Sequence, residues 1–240
     1  MEYTVKRSIH ASLCDHTPYL SYVSIFQMIQ DSITAMMNEM NIDGVTTMRL
    51  YGAVWVFVRS NVRIIRRPAW RDEVVVKSYF TYHNAVKVMA DTEINDMNGN
   101  PLVRARLEMC SLDVSARKIR KTYTVGFSEN TVCGAPHPDL EFTRFPRDGF
   151  ETVRKFVPNS TNIDFCGHVN NVEYVRCIIA SYPVSELNKR QIRNIEMHYI
   201  DQSFENDDLE LLRSSSDNVD TICIRKGDII TTECKLTFEE

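Results

Sequence analysis

Residues 151–183 read ETVRKFVPNSTNIDFCGHVNNVEYVRCIIASYP, and residues 2–41 open the chain on the same plan. In each stretch a strand-like segment (151–157 and 2–10) leads through a loop with an aspartate (Asp164 and Asp15) into a helical pattern. Tyr22, Phe26, Ile29, Ile33, Met36 and Met40 recur every three or four residues, which predicts a helix over 21–41 with one apolar stripe turned to a core. The second helix is expected over 171–182, stopped by Pro183.

Both helices are followed by runs rich in Val, Ile, Tyr and Phe. In the first half these are 53–70, 72–96 and 101–114, with Asn98-Gly99-Asn100 as a turn between the last two, and they read as antiparallel strands and hairpins. In the second half 193–212 resembles 59–78, down to an acidic pair before the next strand (Asp72-Glu73 and Asp207-Asp208), and Gly227 answers Gly99. The offset falls from 149 (Asp15 to Asp164) to 135 (Asp72 to Asp207) to 128 (Gly99 to Gly227), so the second copy has shorter loops in the same order. The sequence therefore predicts an α+β protein made by duplication, each unit a long helix packed on a curved antiparallel sheet. The expected boundaries are 1–122 for the first unit, 123–150 for a proline-rich linker and 151–240 for the second unit.

A hydrophobic content of 43% in 240 residues suffices for a large core, and a net charge of −4 does not favour a nucleic-acid binder. No stretch approaches the ~18 apolar residues that span a bilayer, and the first residues lack an apolar leader core, so a cytoplasmic location is expected. Seven cysteines without a C-x-x-C pair argue against a disulfide framework and against a metal site. The phosphate-loop, dinucleotide, nucleophile-elbow and zinc-protease signatures are all missing.

What remains is the opening stretch. If 162–168 is extended, Asp164, Cys166 and His168 share one face, since side chains alternate along a strand. Asn170 or Asn171 can cap the following helix, and Asn170 with Glu173 has capping-box spacing. Free N–H groups at Val169, Asn170 and Asn171 would suit an oxyanion formed at a carbonyl. Each residue also has a plainer reading: Asp164 as a loop brace like Asp15, His168 as a hydrogen-bonded histidine, Cys166 as a small filler. A Cys166–His168 nucleophilic pair is disfavoured by their separation of two residues on a strand.

The segment IDFCGHVNNVEYV (163–175), followed by EMHYIDQSFENDDLEL (196–211), resembles the acyl-acyl carrier protein (acyl-ACP) thioesterases, whose signature is D-x-N-x-H-V-N-N and then an aromatic strand leading to a carboxylate. Residues 54–80 resemble the strand pair after that family's first helix. The resemblance implies two tandem hotdog units, the first shaping an acyl pocket and the second catalytic. It implies hydrolysis of the thioester between a fatty acyl chain and a carrier protein's phosphopantetheine, with no cofactor of the enzyme's own. Asp164 and His168 match the family's aspartate and histidine. Cys166 stands where the family has asparagine, and Gln202 where it has a glutamate that helps to activate water. The catalytic set carried over is thus Asp164, Cys166, His168 and Gln202.

A carrier protein presents acidic helices, so a docking surface needs local positive charge. Arg59, Arg63, Arg66, Arg67 and Arg71 form one cluster that strand alternation divides between two faces, which leaves Arg117, Lys118, Arg120 and Lys121 as the expected docking set. The acyl pocket is expected between the first helix and strands around Val54–Val58. Two other readings stay open, an acyl-ACP-binding protein without catalysis and a thioesterase for acyl-coenzyme A. A homodimer stays open too, although two fused units already supply a pairing of their own.

Overall fold

The computed structural model describes residues 1–146 and 148–239, with Glu129 described for its backbone alone. Two compact units emerge, Met1–Glu141 and Phe142–Glu240.

In the first unit, strands β1 (Glu2–Ser8), β2 (Ala53–Ile64), β3 (Glu73–His83), β4 (Val88–Asp96) and β5 (Pro101–Asp113) form an antiparallel sheet in the order β1-β3-β4-β5-β2. The short strand β6 (Lys118–Arg120) pairs with the end of β5. Helix α1 (Tyr22–Glu39) packs over β1, β3 and β4 and buries Tyr22, Phe26, Ile29, Ile33 and Met36 of the stripe read from the sequence, with Ile25 beside them, while Met40 is its half-buried C-cap. Ser21 caps it by accepting the Ser24 N–H at 3.0 Å. Inside this apolar contact runs a short chain of buried hydroxyls, Ser32 to Ser78 at 2.8 Å and Ser78 to Thr92 at 2.7 Å, so no polar atom there lacks a partner.

A second helix, α2 (Gly44–Tyr51), was not expected. Its signals are punctuation rather than periodicity. Asp43 accepts the N–H groups of Val45 and Thr46 at 2.9 and 3.0 Å, and Gly52, at φ +64°, ends the helix in the left-handed conformation that glycine adopts most readily.

The first unit runs on to Glu141, past the boundary at 122 expected from the sequence. The physical reason is a buried ion pair that satisfies the proline-rich backbone. Arg106 holds both oxygens of Asp91 at 2.8 Å and donates to the carbonyls of His137 and Leu140, while the N–H of His137 donates to Asp91. Phe127 stacks edge-on against Phe80 with ring centroids 4.9 Å apart.

The second unit repeats the programme. Strands β7 (Glu151–Phe156), β8 (Ile192–Tyr199), β9 (Leu209–Ser216), β10 (Val219–Lys226) and β11 (Ile229–Phe238) are antiparallel in the order β7-β9-β10-β11-β8, which is the first unit's order element for element. Helix α3 (Asn171–Ile179) takes the place of α1 and buries Val172, Tyr174, Val175, Cys177 and Ile178. It ends before the expected residue 182, and Pro183 precedes a four-residue helix, α4 (Val184–Leu187), the counterpart of α2. Proline is well suited to that place, because a helix start has no use for the N–H it lacks.

Candidate active site

Residues 163–169 are not an extended strand. Ile163 and Val169 form an isolated antiparallel bridge, and the residues between them close a tight loop in which the Asp164 N–H donates to the His168 carbonyl at 2.8 Å. Asp164 Oδ1 accepts the N–H of Cys166 at 2.8 Å and that of His168 at 3.3 Å. Gly167 sits at φ +81° with nothing near a would-be Cβ, so it is backbone conformation that selects glycine there. The alternation expected for Asp164, Cys166 and His168 therefore does not apply, because an aspartate that bonds its own backbone two residues on makes a turn.

The capping box expected at Asn170 and Glu173 is also absent. Asn170 does cap α3, accepting the Val172 N–H at 3.0 Å, but Glu173 turns to Asn162 (2.8 Å) and Arg176 (3.1 Å). A capping box forms instead in the short helical turn before the loop, between Asn159 and Asn162. Of the three N–H groups expected to be free, that of Val169 donates to the Ser203 carbonyl and that of Asn170 to the Asn162 carbonyl, both at 2.9 Å. Asn171 keeps its N–H without an acceptor among the described residues, at the positive end of the helix.

The bond from Val169 to Ser203 lays the segment after β8 against the loop, so residues 202–204 lie beside 168–169. Gln202 is half-buried, and its side-chain amide makes no hydrogen bond among the described residues. The His168 ring meets the Phe204 ring edge-on, with centroids 5.1 Å apart. Burial and the neighbouring Asp164 charge push the half-buried Cys166 thiol up, so it stays protonated at neutral pH and makes a poor nucleophile.

The first unit supplies a reference for this geometry. Asp15 N–H bonds the Tyr19 carbonyl, Cys14 bridges Leu20, and Ser21 caps α1, each 149 residues before its counterpart at Asp164, Ile163 or Asn170. The Leu20 N–H donates to the Pro68 carbonyl at 2.8 Å, as Val169 does to Ser203, and Ala69 N–H to Asp72 Oδ2 at 2.8 Å matches Phe204 N–H to Asp207 Oδ2 at 2.9 Å. The offset in this segment is 135, so Arg67 is the counterpart of Gln202.

That pairing exposes a difference. Asp15 Oδ1 accepts the N–H and hydroxyl of Thr17 at 2.9 and 2.6 Å, while Asp15 Oδ2 is ion-paired with Arg67, whose guanidinium also lies 4.6 Å from the Tyr22 ring and 5.6 Å from the Tyr19 ring. Burial alone would raise the Asp15 carboxyl, yet the Thr17 bonds and the Arg67 charge hold it below the usual carboxylate range. In the second unit Asp164 Oδ2 accepts nothing from the described residues. The first copy of the turn is closed by its own arginine; in the second the carboxylate oxygen accepts nothing from the described residues, and a neutral amide, Gln202, stands at the arginine's sequence counterpart. The offset of 135 between the acidic pairs Asp72-Glu73 and Asp207-Asp208 is the sequence signal that would have matched residue 67 with 202.

Of the expected docking residues, Arg117, Lys118 and Lys121 are exposed. Arg120 is partly committed, bonded to the Tyr51 carbonyl at the end of α2 and 3.7 Å from Asp113. Ile119 and Tyr123 stand among them, 58% and 59% exposed, and give this face an apolar component. In the other cluster Arg59 pairs with Glu108, Arg63 with Asp139, Arg67 with Asp15, and Arg71 covers Trp70. Among the described residues no helix is long and apolar enough to cross a membrane, and no cluster of three His, Cys, Asp or Glu side chains is placed to hold a metal ion.

The profile of the acyl-ACP thioesterase N-terminal domain matches residues 1–124, and that of the acyl-ACP thioesterase C-terminal domain matches residues 147–237. The chain belongs to the acyl-ACP thioesterase family. Its fold is the double hotdog of that family: it superposes on an acyl-ACP thioesterase from Bacteroides thetaiotaomicron with a TM-score of 0.92 at 19% identity, over 99% of this chain and 98% of that one. A 12:0-ACP thioesterase from Umbellularia californica gives a TM-score of 0.88 at 17% identity, over 99% and 97% of the two chains. In sequence the chain is 24% identical over 159 residues to a chloroplastic acyl-[acyl-carrier-protein] hydrolase of Cuphea viscosissima, which covers 61% of this chain. The match spans 37% of that plant protein, and at most about half of the other plant thioesterases it aligns with, 49% and 51% in two of them.

Proposed function

We propose that the chain hydrolyses the thioester of fatty acyl-ACP and releases free fatty acid. The observation that carries this reading is the Asp164 Oδ2 that accepts nothing from the described residues, in a turn that places His168 where the first unit has Tyr19 and leads to the Asn171 N–H, unbonded among the described residues. Family membership supports the substrate class. Water attacks the thioester carbonyl, with Asp164 Oδ2 accepting its proton and His168 and Gln202 orienting it. The Asn171 N–H, at the positive end of α3, stabilises the tetrahedral oxyanion. Collapse of that intermediate expels the phosphopantetheine thiolate, which takes the proton back.

Cys166 has no nucleophilic part in this scheme; its backbone N–H helps to hold Asp164. The carrier docks on the face of Arg117, Lys118, Arg120 and Lys121, with Ile119 and Tyr123 available to apolar residues of its helix. The acyl chain lies in the first unit, where the half-buried Trp55, Val56, Phe57 and Val58 of β2 offer apolar surface. A second reading, acyl-ACP binding without turnover, is favoured by Gln202, since an amide cannot accept a proton as the family's carboxylate does.

The test is release of free fatty acid from a panel of acyl-ACP thioesters by the purified protein and by its His168→Ala variant. Turnover lost in the variant, with unchanged thermal unfolding, is the expected result. Turnover retained by the variant removes His168 from the mechanism, and tight binding with no product from the unaltered protein establishes the second reading.

A further inference from the structure

The His168 imidazole makes no hydrogen bond among the described residues, yet a water-orienting ring has to be held in one rotamer. The contact that holds it is aromatic: the Phe204 ring stands edge-on to it, at 63° between planes. Phe204 is itself held at two points, its backbone and its ring. Its N–H donates to Asp207 Oδ2 at 2.9 Å, Lys226 Nζ lies 5.7 Å from its ring centre, and Lys226 is locked by an ion pair with Asp207 Oδ1 at 2.8 Å. One carboxylate thus anchors both the backbone of the aromatic residue and the cation that covers its ring.

The fold does not require this assembly. In the first unit Ala69 occupies the equivalent place and makes the same backbone bond to Asp72, so a methyl group suffices for the turn. Tyr19, the counterpart of His168, is braced there by Arg67 instead. Nor does the core require the ring, since Phe204 is 38% exposed. An exposed aromatic side chain held at both backbone and ring, where the first unit has only the methyl group of Ala69 and Tyr19 in place of His168, has the imidazole as its evident load.

We infer that Phe204 is a positioning residue, which holds the His168 imidazole in the orientation that hydrolysis needs. The inference rests on the thioesterase reading for its consequence, though not for the contact. Misplacing a reacting group by about 1 Å costs on the order of 10²-fold in rate. A ring that keeps some correct rotamers loses less.

In Phe204→Leu we expect kcat for acyl-ACP to fall ~10- to 100-fold with KM within ~2-fold, while Phe204→Tyr, which keeps the ring, stays within ~3-fold of the unaltered protein. Lys226→Met, which frees the Phe204 ring from a distance, should give a smaller fall of the same kind. The His168 ring-proton resonances, assigned by their loss in His168→Gln, should move in Phe204→Leu and hold in Phe204→Tyr. Unchanged kcat in Phe204→Leu overturns the positioning role, as does a loss that the tyrosine fails to rescue. If the unaltered protein turns over nothing, the thioesterase reading has failed and the resonances decide alone: a shift in the leucine variant upholds the contact, and none overturns it.

Discussion

Asp164→Asn separates the two tasks of one carboxylate. The asparagine Oδ1 can still accept the N–H groups of Cys166 and His168, at 2.8 and 3.3 Å, so the loop keeps its shape. What is lost there is charge assistance, and only the shorter bond is close enough for that to matter much; hydrogen bonds to charged groups contribute ~1.5–3 kcal/mol and neutral ones ~1 kcal/mol. The stability cost should therefore be about 1 kcal/mol, or ~2–4 °C in the melting temperature of a chain of this size. At Oδ2 the change is of another order. An NH₂ group cannot take a proton from water, and general-base assistance is worth ~10²- to 10⁴-fold. The paired assays are thermal unfolding and initial rates of fatty acid release from acyl-ACP. Retention of kcat within ~3-fold would refute the base assignment and leave Asp164 a turn brace like Asp15. A melting temperature lowered by much more than ~4 °C would refute the claim that an amide can hold the turn.

The other predictions concern the family departures, the docking face and the closed copy of the turn. Cys166→Asn with Gln202→Glu restores the family pair and should raise kcat by ~10-fold or more, read in the same release assay; no gain would mean that the natural pair is already sufficient. Replacing Arg117, Lys118 and Lys121 together by glutamine should raise KM for acyl-ACP ~10-fold, at about 0.5 kcal/mol for each exposed charge pair, and leave acyl-coenzyme A nearly unaffected. A rise confined to acyl-coenzyme A would assign the patch to nucleotide phosphates. Arg67→Gln should destabilise the protein at pH 7 by an amount between the ~1 kcal/mol of an exposed pair and the ~3–5 kcal/mol of a buried one, measured by urea unfolding. Because the Asp15 carboxyl is held low in the folded state, its contribution is present above the unfolded carboxylate value of about 3.9 and lost as pH falls through the folded one. The difference between Arg67→Gln and the unaltered protein should shrink over that acid range.

The duplication was legible because hydrophobic periodicity and turn residues recur in the same order in both halves. The α1 stripe from Tyr22 to Met36, antiparallel strands within 72–96 and the Gly99 and Gly227 turns appear as read. Short elements were hidden: α2 and α4 are too brief for a periodic signal, α2 being marked by its caps Asp43 and Gly52 and α4 by Pro183 alone. The loop at 163–169 was misread as a strand because alternation of reactive residues is equally compatible with an aspartate turn, and local hydrogen bonding decided between them. The packing of 123–141 was invisible because it depends on Asp91 and Arg106, which are distant from it in sequence. His168 and Asp164 were singled out through a motif; Phe204 was not, since its contact depends on which ring it faces.

The guanidinium on Asp15 has a pharmacological side. Arg67 is a ligand tethered to the first turn, combining a cation for the carboxylate with a flat face for Tyr19 and Tyr22. The chain thereby carries a worked example of how such a turn is occluded. A small guanidinium compound shaped to reach Asp164 Oδ2 while stacking beside His168 would copy that plug into the open turn, so the template for an inhibitor of the second unit is written in the first.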